Sequence, residues 1–281
     1  MTPPFAKARL HVRLLISGLL ITATSIAIIP VAVVTLFSAR RLYAAIVTWV
    51  ARAVLAICGI RMRVHHEEPF PQGQTVYISN HSSTIDLFAL VALGLPNTRF
   101  FLSGFLQKYI PLAILAHLMG TFFTVPQDRP DERRRIFQAA ARTLARTKES
   151  VYLSPEGTRI TTGNIGPFNK GAFHLAVSLG APIVPLYFFI PREIDPGMGF
   201  DARPGAIDIH VKPAIDTSGW SVESVVAHKE TVRDLFVAWH QGEKNEEQRT
   251  KNDEQRALDA GRAAAGVESA PTTVELAPRP F

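Results

Sequence analysis

Residues 14–39 carry no charge and are bracketed by Arg13 and by Arg40 and Arg41. A helix needs about 20 apolar residues to cross a bilayer, so this run predicts a membrane-embedded helix. Pro30 interrupts the run, which is compatible with a kinked or re-entrant course. A secretory signal peptide is the competing reading, but its apolar region usually has only about 7–15 residues. A second apolar stretch, residues 42–60, has Arg52 as its only charge. One reading lays it in the membrane interface, with Arg52 snorkelling and Tyr43 and Trp49 at that depth. The other packs it as an ordinary buried helix on the domain.

From residue 61 to 239 the pattern changes to short β-branched or aromatic runs alternating with helical ones. Residues 75–79, 121–125, 151–154 and 183–189 predict strands. Residues 84–95, 131–147, 171–179 and 222–239 predict helices. Alternation of this kind argues an α/β fold with a mainly parallel sheet flanked by helices. After residue 239 the chain turns charged. Residues 241–262 suit a solvated helix, while 266–281 are rich in Ala, Pro and Thr. The organisation expected is therefore membrane anchor helices over 1–60, an α/β body over 61–240, and a charged, largely disordered tail over 241–281.

Charge sharpens this picture. The 281 residues are 47% hydrophobic with a net charge of +6. No Asp or Glu precedes Glu67, yet Lys7, Arg9, Arg13, Arg40, Arg41, Arg52, Arg61 and Arg63 all do. Setting these eight of the 30 basic residues aside leaves 22 against 24 acidic ones. The excess positive charge thus flanks the apolar runs, which suits an anionic membrane surface and excludes a nucleic-acid partner, whose domain needs its positives on the folded body. Arginines after the first run outnumber the basic residues before it, which favours the body on the cytoplasmic side. Cys58 is the only cysteine, so neither an intrachain disulfide nor a Cys-rich metal site can form. Its apolar surroundings read as those of an inert thiol.

Four segments carry candidate chemistry. Ser79-Asn80-His81-Ser82-Ser83-Thr84-Ile85-Asp86 sits where a strand hands over to a helix, the position at which open α/β sheets hold ligands. A neutral His there can accept a hydroxyl proton, and it works better when a carboxylate orients its other nitrogen. Asp86 has that spacing, although Ser83-x-x-Asp86 equally fits a helix N-terminal cap. In Pro155-Glu156-Gly157-Thr158-Arg159, Gly157 allows close backbone approach and Arg159 offers a planar fork for phosphate. The bland alternative is a surface turn with a solvated ion pair. Gln127-Asp128-Arg129-Pro130 follows an apolar stretch, and Arg129 is a second candidate phosphate contact. The two prolines of Ala181-Pro182-Ile183-Val184-Pro185 predict an edge strand or a strand end. His, Asp and Glu nowhere show metal-ligand spacing, so no metal is expected.

In this order, N-H-x4-D, D-R, P-E-G-T-R and V-P, the chain resembles the glycerolipid acyltransferases, specifically the 1-acylglycerol-3-phosphate O-acyltransferase type, over roughly residues 61–211. Asn80, His81 and Asp86 match the first block, Arg129 the second, Pro155 to Arg159 the third with Phe168-Asn169-Lys170-Gly171-Ala172 continuing it, and Val184-Pro185 the fourth. The position before Pro155, usually aromatic in that family, is Ser154, and Pro126-Gln127 are extra residues in the second block. The resemblance implies direct acyl transfer in phospholipid biosynthesis. His81 would act as general base and Asp86 would orient it. Asn80, Arg129, Gly157, Thr158 and Arg159 would bind the substrate, with Glu156 positioning its glycerol. The implied partners are membrane lipids, lysophosphatidic acid and a thioester co-substrate, acyl-CoA or acyl carrier protein, with no further cofactor. Other readings are an acyltransferase for another lysolipid or for glycerol-3-phosphate, a membrane-anchored hydrolase, and a non-catalytic lipid-binding protein. The hydrolase reading lacks the G-x-S-x-G elbow.

Overall fold

The computed structural model describes residues 4–197, 199 and 201–264. Helix α1, Pro4–Val34, continues through Pro30, and α2, Arg40–Cys58, follows after a short turn in which Leu36 and Phe37 adopt positive φ. Both helices are long and apolar enough to cross a membrane, their 18-residue apolar windows having mean hydropathies of 2.2 and 1.6. In α1, Thr22, Thr24 and Ser25 return their hydroxyls to carbonyls of the preceding turn, so no polar donor on these side chains is left to face an apolar surrounding.

One face of α2 is buried, through Val47, Val50, Ala51, Val54 and Leu55, and it packs on α3, Ile85–Leu93. Tyr43 is fully buried and bonded to Thr35. Arg52 is exposed as a residue but donates through Nε to the Ala92 carbonyl at 2.8 Å, at the end of α3. A free helix terminus presents carbonyls without partners, and a guanidinium on a neighbouring helix satisfies one of them. Trp49 is exposed.

Among the described residues, seven strands form one sheet in the order β1-β7-β6-β2-β5-β3-β4. They are β1 Ile60–His66, β2 Val76–Ser79, β3 Thr98–Ser103, β4 Phe122–Thr124, β5 Ser150–Leu153, β6 Ile183–Phe189 and β7 Gly205–Val211. All pairings are parallel except β6 with β7. The sheet is therefore mainly parallel, as the alternating pattern predicts. Tyr77, Tyr152 and Val184 point into the core shared with α1–α3. Their neighbours Val76, Val151 and Ile183 are buried against the opposite face. That face carries α5, Pro130–Thr147, and α6, Gly171–Leu179, which pack against each other.

β6 is an interior strand, flanked by β7 and β2, so of the two places its prolines predict the edge is not taken, while Pro182 does stand at the strand's end, just before its first residue. Pro185 is tolerated because the β6–β7 ladder begins one residue later, at Leu186 opposite Val211. Pro185 lies at the end of that ladder and gives only its carbonyl, which accepts from the Lys212 N–H at 3.0 Å. β1, β3, β7 and a helix α4, Ile110–Leu118, were not anticipated. β1 and β7 alternate apolar inward with charged outward, and Asp208 on β7 meets Arg63 and His65 on β1. Cys58, at the end of α2, is half-buried.

By its contacts the chain divides into a first unit, residues 1–238, and a second, residues 239–281. The last helix, α7 Val225–Ala264, starts in the first unit, where Val225, Val232 and Phe236 are buried. Residues 241–262 are helical, as their charged pattern suggested. The rest of the expected tail, beyond 264, lies outside the described residues.

Candidate active site

The site assembles at the carboxyl ends of β2, β5 and β6, which are adjacent in the sheet. Asn80 follows β2 directly and is buried. Its side chain donates to the Phe188 carbonyl at 2.9 Å and accepts from the Phe188 N–H at 2.8 Å. It thus closes onto β6 as an extra rung of the ladder. Behind it, Tyr152 of β5 bonds the Ser79 hydroxyl at 2.8 Å, and Ser79 donates onward to the Asn80 carbonyl. Burial pushes the Tyr152 phenol well above its ordinary value, so it stays a neutral donor at any physiological pH.

His81 comes next, with its side chain one-third exposed. Its Nδ1 lies 2.9 Å from Asp86 Oδ2. The same oxygen accepts the backbone N–H groups of Ser82 and Ser83 at 2.7 and 2.9 Å. Asp86 therefore does both things its position suggested: it ties the turn before α3 and it orients the imidazole. Asp86 is buried, and its other oxygen, Oδ1, has no hydrogen-bond partner. A buried carboxylate of this kind holds Nδ1 in the protonated form and leaves Nε2 with a free lone pair.

Glu156 sits in the turn after β5. One of its oxygens accepts the His81 N–H at 2.5 Å and the other accepts the Gly166 N–H at 2.7 Å. Both oxygens are thus committed to the backbone and the side chain is buried. Burial raises its pKa to about 7, against the pull of the two N–H groups and of His81. The carboxylate expected to meet a substrate glycerol instead braces the loop that carries His81. The Ile160 N–H donates to the His81 carbonyl at 2.8 Å, completing a short lattice between the two motif loops.

Gly157 has φ +69°, and a Cβ there would stand 2.8 Å from Asn169 Nδ2 and 3.0 Å from Gln127 Nε2. Glycine is needed for both reasons. Asn169 pins the turn by donating to the Pro155 and Glu156 carbonyls, both at 3.0 Å. Thr158 and Arg159 are exposed, and Arg159 donates to the Thr84 hydroxyl, so it stands over the start of α3 one turn from Asp86. Arg129 precedes α5 and is exposed, 3.5 Å from Glu132. The structure ties the 127 region to Gly157 but gives Arg129 no described contact with His81 or Arg159.

Asp195 was missed. It is buried in the loop after β6, accepts the Ser83 hydroxyl at one oxygen and the Gly197 N–H at the other, 2.8 Å away. Ser83 in turn accepts from the Ile85 N–H at 2.9 Å, so Asp195 holds the first turn of α3 from outside. Its partner lies 112 residues away in sequence, and no local pattern signals such a contact.

A histidine held by a buried carboxylate at the carboxyl edge of a mainly parallel sheet has the geometry a general base requires. Residues 61–188 match the acyltransferase family model. The chain is 28% identical over 187 residues to a 1-acyl-sn-glycerol-3-phosphate acyltransferase of Limnanthes douglasii, a match covering 66% of this chain and 65% of the relative. It is 30% identical over 182 residues to the alpha form of that enzyme from Mus musculus, covering 62% of each. The matches thus span just under two thirds of these relatives. The fold resembles the crystal structure of the 1-acyl-sn-glycerophosphate (LPA) acyltransferase PlsC from Thermotoga maritima, with a TM-score of 0.63 and 18% identity. That likeness covers 82% of this chain and 97% of the other.

Proposed function

We propose that this protein transfers a fatty acyl group from a thioester to the free hydroxyl of 1-acylglycerol-3-phosphate, giving phosphatidic acid. The observation that carries the reading is the 2.9 Å contact between His81 Nδ1 and Asp86 Oδ2 within an acyltransferase-family domain. The names of the relatives favour the acceptor. Nε2 of His81 takes the proton of the acceptor hydroxyl as its oxygen attacks the thioester carbonyl. The C–S bond then breaks, and the departing thiolate takes that proton from the imidazolium. The Asp86 carboxylate supports the imidazolium between the two steps.

Arg159, Arg129, Thr158 and the Gly157 turn form the phosphate side of the acceptor site, while Asn80 and Glu156 keep its frame rigid. A narrow apolar cavity of about 60 Å³ lies between α1, α2, α4 and the sheet, reaching Leu87 and Phe88 on the first turn of α3. It suits an acyl chain, since its walls are apolar apart from Thr121. The co-substrate is acyl-CoA or acyl carrier protein, and no other cofactor takes part. α1 and α2 hold the protein in a membrane, with the catalytic body on the cytoplasmic face, where such thioesters are made. The test is acyl transfer from radiolabelled acyl-CoA or acyl carrier protein to lysophosphatidic acid by purified protein in detergent. Labelled phosphatidic acid from wild type and none from His81→Ala supports the reading, and no product with either donor sinks it.

A further inference from the structure

Between α5 and α6, on the sheet face opposite α2 and α3, runs an open groove of about 510 Å³. Small-molecule sites have volumes of roughly 300–1,000 Å³. The floor is apolar, from Phe137, Leu153, Ala172 and Leu175, and the rim carries Arg133 and Arg134. No acidic side chain lines it among the described residues. His174, also on the rim, is held below its ordinary pKa by burial and by Lys170, which adds a further cation beside the groove. Arg133 spends one N–H on the Val125 carbonyl at 2.8 Å, which fixes its guanidinium while the rest of the fork stays available.

Two features join this groove to the chemistry. It ends against Ser154, Pro155 and Gly157, and Glu156 of the same turn holds the His81 N–H. The Ser154 hydroxyl is buried in that wall with no hydrogen-bond partner. A buried hydroxyl without a partner is costly, and a ligand amide or carbonyl in the groove would supply one. The apolar cavity described above lies on the other face of the sheet, near the first turn of α3. The two spaces therefore flank the carboxyl edge on which His81 stands.

We propose that the α5–α6 groove seats the phosphopantetheine arm of the acyl donor, an inference that rests on the acyl-transfer reading above. A donor thioester joins an apolar chain to an amide-bearing arm that ends in a phosphate. With the chain in the apolar cavity and the arm in the groove, the thioester carbon comes over the end of β5, beside His81. The arm's methyl and methylene groups lie on Phe137 and Leu175, an amide meets Ser154, and the phosphate meets Arg133 and Arg134. Coenzyme A and acyl carrier protein share this arm.

The experiment uses the full chain in detergent, with variants Arg134→Glu and Ser154→Phe, and measures KM for acyl-CoA, acyl carrier protein, acyl-pantetheine and the acceptor. Acyl-pantetheine lacks the phosphate. Arg134→Glu is expected to raise KM about tenfold or more for both phosphate-bearing donors, leaving acyl-pantetheine, acceptor and Tm unchanged. Ser154→Phe is expected to raise KM for all three donors by filling the groove. Unchanged donor KM in Arg134→Glu overturns the proposal. So does a change confined to the acceptor, which makes the groove the acceptor's, or to acyl carrier protein, which makes Arg134 a contact for that protein's surface. If wild type transfers nothing, the acyl-transfer reading fails by itself. Calorimetric titration of 4′-phosphopantetheine then decides the groove: binding by wild type that Arg134→Glu abolishes supports it, and no binding by wild type overturns it.

Discussion

Asp86 Oδ2 stands 2.9 Å from His81 Nδ1 while accepting the N–H groups of Ser82 and Ser83. One oxygen thereby sets the shape of the loop and the tautomer of the base together. Asp86→Asn keeps an acceptor for the loop and removes the charge that supports an imidazolium. It is expected to lower kcat about 100-fold or more with a Tm close to wild type. His81→Ala is expected to lose at least as much activity. Turnover near wild type in either variant, with the fold intact by circular dichroism, would remove His81 from the chemistry.

The Asn80 clamp on Phe188 predicts a stability effect rather than a binding one. Asn80→Ala leaves a buried N–H and a buried carbonyl of Phe188 without partners. The expected loss is about 2–3 kcal/mol, read as a lower denaturation midpoint. Asn80→Asp should recover part of it by accepting again from the Phe188 N–H. Full stability in Asn80→Ala would free Asn80 for a direct substrate contact.

Glu156 predicts a pH dependence. Its carboxyl ordinarily titrates near 4.5 and here is raised to about 7. Between those values the folded protein binds more protons than the unfolded chain, so stability falls as pH rises through that window, by at most about 1.4 kcal/mol per unit. Glu156→Gln removes this contribution. It is expected to flatten Tm against pH over the window, and to lower Tm at its acid end because an amide cannot accept both N–H groups. An unchanged slope would show that Glu156 is not the titrating group.

Among the described residues, Asp195 reaches the site through Ser83. Asp195→Ala strands the Ser83 hydroxyl and the Gly197 N–H, with an expected cost of about 1–3 kcal/mol. Loosening of the first turn of α3 should also lower kcat several-fold, with the acceptor KM nearly unchanged. Asp195→Asn, which keeps one acceptor, should fall between. A rise in acceptor KM with kcat intact would move Asp195 to the binding site.

Much of the protein was legible without coordinates because the signals were local. A charge-free run between arginines, a helix pattern such as 171–179 and an unbroken apolar strand such as 183–189 state their structure within a few residues, and α6 and β6 follow those bounds. His81 and Asp86 lie five residues apart, so one strand-to-helix turn suffices to pair them. β1 and β7 escaped notice because each is an ordinary alternating strand, meaningful only when Asp208 meets Arg63 and His65 some 145 and 143 positions away.

The amino-acid sequence by itself determined the apolar helices, the alternation that makes a parallel sheet, and the pairing of His81 with Asp86. Only the tertiary structure decided what the remaining motif residues do. Glu156 and Asn80 were chosen by sequence as substrate ligands, and packing turns them inward, onto the N–H of His81 and the backbone of Phe188. The same packing set an interior place for a strand that contains Pro185, a helix partner for Arg52, and a role for Asp195. The physical reason is that a buried polar group must find its partner wherever the fold provides one, and the distance along the chain to that partner leaves no mark on the local pattern.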